Sequence, residues 1–174
     1  MSLNPNLDSM NTLSNLFAQK SWANNELHNA LANVPAAQHP VAVHTAIRML
    51  NHIYVVDCIF KAHLQGVAHP YTASNTDDTP DLAKLQFAVA EVDAWYEGYV
   101  ATITPSQCAE TLAFRFTDGD TGTMSREEML LQVITHGAYH RGNVGQILKS
   151  ISVVPPRDLL TKFLHLREPT RRWR

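Results

Sequence analysis

The segment THGAYHRGNVGQIL, residues 135–148, places His136 and His140 four positions apart and follows them with Arg141-Gly142-Asn143. On an α-helix, residues i and i+4 stand one above the other on the same face, so both imidazoles can reach one metal ion. Imidazole nitrogen suits Zn²⁺, Ni²⁺, Fe²⁺, Co²⁺ or Mn²⁺, and sequence alone does not choose among them. The pair by itself is a weak signal. Nine histidines in 174 residues give roughly 0.5 such spacings by chance. A third ligand is needed, together with a scaffold that positions it.

The scaffold can be read from hydrophobic periodicity. Residues 7–34 carry Leu7, Met10, Leu13, Phe17, Leu27 and Leu31 at steps of three and four or their sums, which predicts a helix; Asn6 or Asp8 is a candidate cap and Pro35 a stop. A second run, residues 41–65, repeats Ala42, Ala46, Met49, Ile53, Val56 and Phe60 and ends at Gly66. The aperiodic stretch GVAHPYTASNTDDTP, residues 66–80, reads as a linker. A third helix is expected over about 81–102 on Leu82, Leu85, Val89, Val92, Tyr96 and Val100. The period then changes to two in ETLAFRF, residues 110–116, and Asp118-Gly119 offers a tight turn, which predicts a small hairpin. Ser125-Arg-Glu-Glu128 fits a capping box that starts a last long helix at about 126–151, with His136 and His140 in its middle. Val153-Val154-Pro155-Pro156 breaks that helix, and residues 157–166 suit one more short one. The expectation is a single all-α domain over residues 1–174, a four-helix bundle with a hairpin before the last long helix. Bundles of this kind form metal sites from side chains of facing helices.

The second helix offers His44, His52 and His63. His52 and His63 share a face but stand ~16 Å apart along the axis, so one ion cannot take both. Spacing leaves the choice open, although His52 adjoins the apolar stripe.

Composition bounds the function from outside. A hydrophobic fraction of 45% with 17% charged residues describes an ordinary folded chain. The formal charge of −2 gives no global attraction to nucleic acid or acidic lipid, and Arg167, Arg171, Arg172 and Arg174 read as a solvated basic tail. Cys58 and Cys108 form no CxxC pair and fit reduced thiols in a cytoplasm. No signal peptide and no membrane-spanning stretch is expected. Asp118-Gly-Asp120 lacks the further ligands of a calcium loop.

Four segments, in order along the chain, resemble the DinB/YfiT-like superfamily, a group regarded as metalloenzymes. LNHIYVVDCIFKAHLQG looks like its second helix, in which a histidine is followed by an acidic residue five on, an aromatic eight on and a terminal glycine. Here these are His52, Asp57, Phe60 and Gly66. SREEMLLQVITHGAYHRGNVGQILKS is similar to its last helix, whose hallmark is a histidine, three residues, then His-Arg-Gly. QKSWANNELHNAL resembles its first helix, and VPPRDLLTKFL its closing segment. The resemblance implies a three-histidine site of His52, His136 and His140; Asn143 stands where many relatives have Gln. Three neutral imidazoles crowded together without a cation would leave ring nitrogens in want of partners, which favours the metal over a core of plain histidines. Three ligands normally leave a position open for water or substrate.

His44 and His63 are expected to be ordinary helix residues, and His28, His39, His69 and His165 to face solvent or lie in loops. Asp57 is read evenly as a group orienting an imidazole or as a surface charge. Gly137 and Gly142, costly by ~1 kcal/mol each inside a helix, are assigned first to close packing and second to room for a substrate. Tyr139 and Arg141 neighbour the ligands in sequence but point elsewhere on a helix and receive no catalytic role.

Relatives include thiol-dependent transferases and an isomerase that use low-molecular-weight thiols. The resemblance therefore implies a metal-dependent, S-transferase-like enzyme acting on a small molecule, possessing a thiol cosubstrate and forming a homodimer. A metal-dependent hydrolase, or a non-catalytic metal-binding stress-response protein, are the alternatives. DNA binding is the weakest reading, because no basic recognition helix is present.

Overall fold

The computed structural model describes residues 5–171, with side chains from Thr12 onward, so the side chains of the expected caps Asn6 and Asp8 lie outside what is described, as do Arg172 and Arg174. The chain runs α1 (Pro5–Ala32), α2 (Pro40–Gln65), α3 (Leu82–Thr102), α4 (Pro105–Cys108), β1 (Thr111–Arg115), β2 (Thr121–Ser125), α5 (Arg126–Ser150) and α6 (Leu160–Arg167), then a 3₁₀ turn at Pro169–Arg171. It is predominantly helical, with one antiparallel hairpin in which Thr111 faces Ser125 and Arg115 faces Thr121. The one-turn helix α4 is too short to show in the hydrophobic period. Its signal is Thr104-Pro-Ser-Gln107, a second capping box in which the Thr104 hydroxyl accepts from the Gln107 amide.

The helix boundaries follow local chemistry. Gly66 closes α2 in the left-handed region (φ 68°), where its amide reaches back to the carbonyls of Ala62 and His63. The Asp81 carboxylate caps α3 through the Lys84 amide, and Ser125 with Glu128 forms the reciprocal box that opens α5. In the hairpin, Phe114 turns inward while Phe116, two residues on, is 46% exposed beyond the end of β1.

Helix α1 packs on α3 and α5, and α2 packs on α5 and α3. The core between them is divided. Leu13, Phe17, Val92, Tyr96, Val100, Met129, Leu130 and Val133 form an apolar cluster toward the hairpin. Leu27, Leu31, Leu50, Ile53, Leu85, Val89, Val144 and Leu148 form a second one toward the opposite end. Between them each long helix contributes polar groups at mid-height: Lys20 and Asn24 from α1, Asp57 from α2, Asp93 from α3 and Arg141 from α5, all buried. His52 of α2 and the two histidines of α5 stand near this level.

Candidate metal centre

Helices α2 and α5 pack face to face, and this brings three imidazoles together. The candidate ligand nitrogens of His52, His136 and His140 lie within 4.8 Å of one another. Their ring centroids are 4.9 Å apart for His52 and His136, 4.7 Å for His52 and His140, and 4.5 Å for His136 and His140. The i, i+4 spacing supplies the last pair, and the packing of α2 supplies the third ring.

The rings are set for coordination. His52 Nδ1 lies 2.9 Å from the Ser74 carbonyl in the 66–80 linker. A carbonyl only accepts, so Nδ1 carries the proton and Nε2 is left with its lone pair toward the other rings. His52 Nε2 and His136 Nε2 are 3.0 Å apart. Two nitrogens bound to one ion at about 2.0–2.1 Å stand roughly 2.9–3.4 Å apart for angles between 90° and tetrahedral. A proton shared on that line would serve one pair of rings and leave His140 outside, whereas a cation serves all three. Burial first, then the His140 and His52 rings and Lys20, push His136 down to about 4. His140 is lowered by burial and by His52. Near neutral pH these two rings are therefore unprotonated and have lone pairs to give. The donor set and its arrangement fit a divalent transition metal.

Of the other histidines, His44 is exposed on α2. His63 is drawn away toward the hairpin, its ring 4.9 Å from Phe114 and 5.3 Å from His69. Among the described residues, no other group of three ligating side chains comes together. His28 corrects an expectation. It is only 2% exposed, with Nδ1 donating to the Asn24 carbonyl 2.8 Å away. Its ring follows the buried face of α1, one step past Leu27.

Asp57 is neither a surface charge nor an orienting group for an imidazole. It is buried and pairs with Lys20 at 2.7 Å. Lys20 also meets Asp93 at 2.5 Å, and Asn24 donates to the other Asp93 oxygen at 2.8 Å. Arg141, next to a candidate ligand in sequence, points away from it and is buried on Asp158 at 2.7 Å. Gln19 donates to the same carboxylate. Gly137 is explained by packing, since a Cβ there would meet Arg141 Nη1 at 3.1 Å and Lys20 Cε at 3.8 Å. Nothing in the structure explains Gly142, which faces open space.

Sequence reasoning missed the wall around the histidines. A cavity of about 260 Å³ opens beside them, lined by Thr45, Arg48, Met49, His52, Asn75 and His140. Arg48 Nη1 donates to the carbonyls of Thr76 (2.5 Å), Asp77 (3.1 Å) and Asp78 (3.0 Å), and Asn51 donates to the Thr76 hydroxyl (2.6 Å). These bonds fasten the linker over α2 and hold Ser74 against His52. The available signal was Arg48, one turn before His52 on the same helical face.

A helical protein with three imidazoles converging between two facing helices is defined as a class by this fold and site: one equipped to hold a metal ion. The particular family is equally plain, because the family model for the DinB family matches residues 7–172, and the chain belongs to it. No curated protein matches the chain. No helix among the described residues is long and apolar enough to cross a membrane.

Proposed function

We propose that the chain is a metal-dependent, S-transferase-like enzyme of the DinB family, built as a single four-helix-bundle domain. In this reading His52, His136 and His140 hold one divalent transition metal and leave a coordination position open. The observation that carries it is the convergence of one nitrogen from each of the three rings within 4.8 Å beside a cavity large enough for a small molecule. The chemistry such an ion supplies is acidification of a coordinated thiol near neutral pH. The protein's own part is to hold three neutral imidazoles, with the His52 tautomer fixed by Ser74, and to wall the open side. A cytoplasmic homodimer completes the proposal, the compartment supported by the cysteine usage and the dimer by the family alone.

Metal analysis of protein purified without an affinity tag or added metal tests the site. About one transition-metal ion per chain is expected, lost in His52→Ala, His136→Ala and His140→Ala but kept in His44→Ala and His63→Ala. Equal loss in His63→Ala would refute the assignment. Thiol-dependent consumption of a small electrophile tests the activity. A metal-loaded protein with no such turnover would leave a hydrolase or a non-catalytic metal binder as the better reading.

A further inference from the structure

We infer that the ligand taken at this centre carries a carboxylate as well as the atom that meets the metal, and that Arg48 is the residue that binds it. The inference rests on the proposed metal centre and specifies its substrate class.

Three neutral imidazoles leave the charge of a divalent ion uncompensated. The cavity wall adds a second positive charge and no acidic side chain: its six residues are Thr45, Arg48, Met49, His52, Asn75 and His140. Asp77 and Asp78 meet Arg48 through main-chain carbonyls, and both residues are exposed. Among the described residues, Arg48 forms no ion pair with any acid. Its charge is therefore buttressed by carbonyl dipoles but not neutralised. The field in the cavity selects an anion.

Geometry narrows the anion further. A guanidinium has five N–H donors. The linker carbonyls engage Nη1 only, so the three donors on Nε and Nη2 have no protein partner among the described residues. That leaves an edge of the fork matched to the two oxygens of a carboxylate. Anchoring Nη1 to three carbonyls also fixes the plane of the fork before the ligand arrives, which lowers the ordering cost of binding. Arg48 and His52 are i and i+4 on α2, with Cβ atoms about 5–6 Å apart. A ligand that meets both the metal and the guanidinium therefore carries its metal-seeking head and its carboxylate along one face of α2.

The test uses cobalt-loaded protein and two probes of similar size, 3-mercaptopropionate and 2-mercaptoethanol, with binding followed by the sulfur-to-cobalt charge-transfer band. Wild type is expected to prefer 3-mercaptopropionate. Arg48→Gln should reduce that preference about tenfold, the scale of a hydrogen bond to a charged group, with cobalt content unchanged. Arg48→Lys should retain part of it, because the charge remains while the fork is lost. Asn51→Ala removes the other linker clip without touching charge and should leave the preference intact. A preference undiminished in Arg48→Gln shows the carboxylate turning back onto the ion and overturns the inference. A matching loss in Asn51→Ala assigns the effect to linker order and overturns it as well. Failure of the protein to take up cobalt overturns the metal centre itself, a separate outcome.

Discussion

Two polar clusters lie side by side at the middle of this protein, and they are finished to different degrees. In the Lys20–Asp57–Asp93 cluster, donors and acceptors largely satisfy each other. Asp93 has both oxygens bonded, Lys20 joins two carboxylates, and the single gap is one oxygen of Asp57. The three-histidine cluster does not close on itself. His52 Nε2 and His136 Nε2 meet at 3.0 Å with His140 outside that pair, and a cavity opens onto the group. A buried polar cluster complete in itself specifies how helices pack. One completed only by a cation and a ligand is a site.

The sharpest way to break this comparison is to remove one group from each. Lys20→Ala leaves Asp57 and Asp93 buried without their shared cation. An uncompensated buried charge of this kind costs about 3–5 kcal/mol, so urea unfolding of the metal-free protein should show a loss of that order. His136→Ala should cost the metal-free chain far less, since it removes a ring with an unpartnered nitrogen, yet abolish metal binding. Comparable losses of stability for the two variants would mean that the histidines are packing residues like Lys20, and the distinction would fall.

The two clusters also titrate in opposite senses. Asp57 rises from 3.8 to about 6, because burial penalises its charge more than Lys20 relieves it, and its free oxygen has no donor. The folded state thus holds the Asp57 proton more tightly than the unfolded chain. The stability this gives is complete below about 3.8 and is lost as pH climbs through about 6. His136 falls from 6.5 to about 4, so its contribution is complete above 6.5 and is lost as pH drops toward 4. Urea midpoints of metal-free protein between pH 4 and pH 7 should therefore rise more steeply with pH in Asp57→Asn than in wild type. They should rise less steeply in His136→Ala. Parallel profiles would show that neither group changes affinity for its proton on folding.

These clusters were legible in the sequence to different extents, for a physical reason. The histidine pair declared itself through spacing on one helix, and the helices through periodicity. His52 over His63 needed the family pattern, because height along α2 means nothing until α5 is packed against it. The ion-paired layer was hidden in plain view. On α1 the apolar stripe passes from Phe17 to Leu27 in one long stride, and the positions it steps over are Lys20 and Asn24. On α3, Asp93 sits between Val89 and Tyr96 in the same way. Reading those gaps as solvated interruptions loses the layer. Helical phase places them in the core, and charges there imply partners on neighbouring helices. The linker was legible only as aperiodic. That its carbonyls would hold Arg48 and His52 depends on long-range contacts that no local pattern encodes.

The smallest expected effect lies at the seam between the clusters. Gly137 follows His136 on α5, and a Cβ there would press on Arg141 Nη1 at 3.1 Å and approach Lys20 Cε at 3.8 Å. Arg141 has little room to give, being held by Asp158 at 2.7 Å and by the Asn24 side-chain oxygen at 3.3 Å. Gly142, five residues on in the same helix, would place its Cβ in open space. Glycine in a helix interior costs about 0.5–1 kcal/mol relative to alanine. Gly142→Ala should therefore raise stability by about that amount, through the smaller entropy of the unfolded chain. Gly137→Ala should forfeit the same gain and end below wild type, because the displaced guanidinium disturbs the ion-paired layer. Urea unfolding of the two single variants measures the difference directly. If both alanines stabilise equally, Arg141 has a second position available, and the layer is looser than its hydrogen bonds imply.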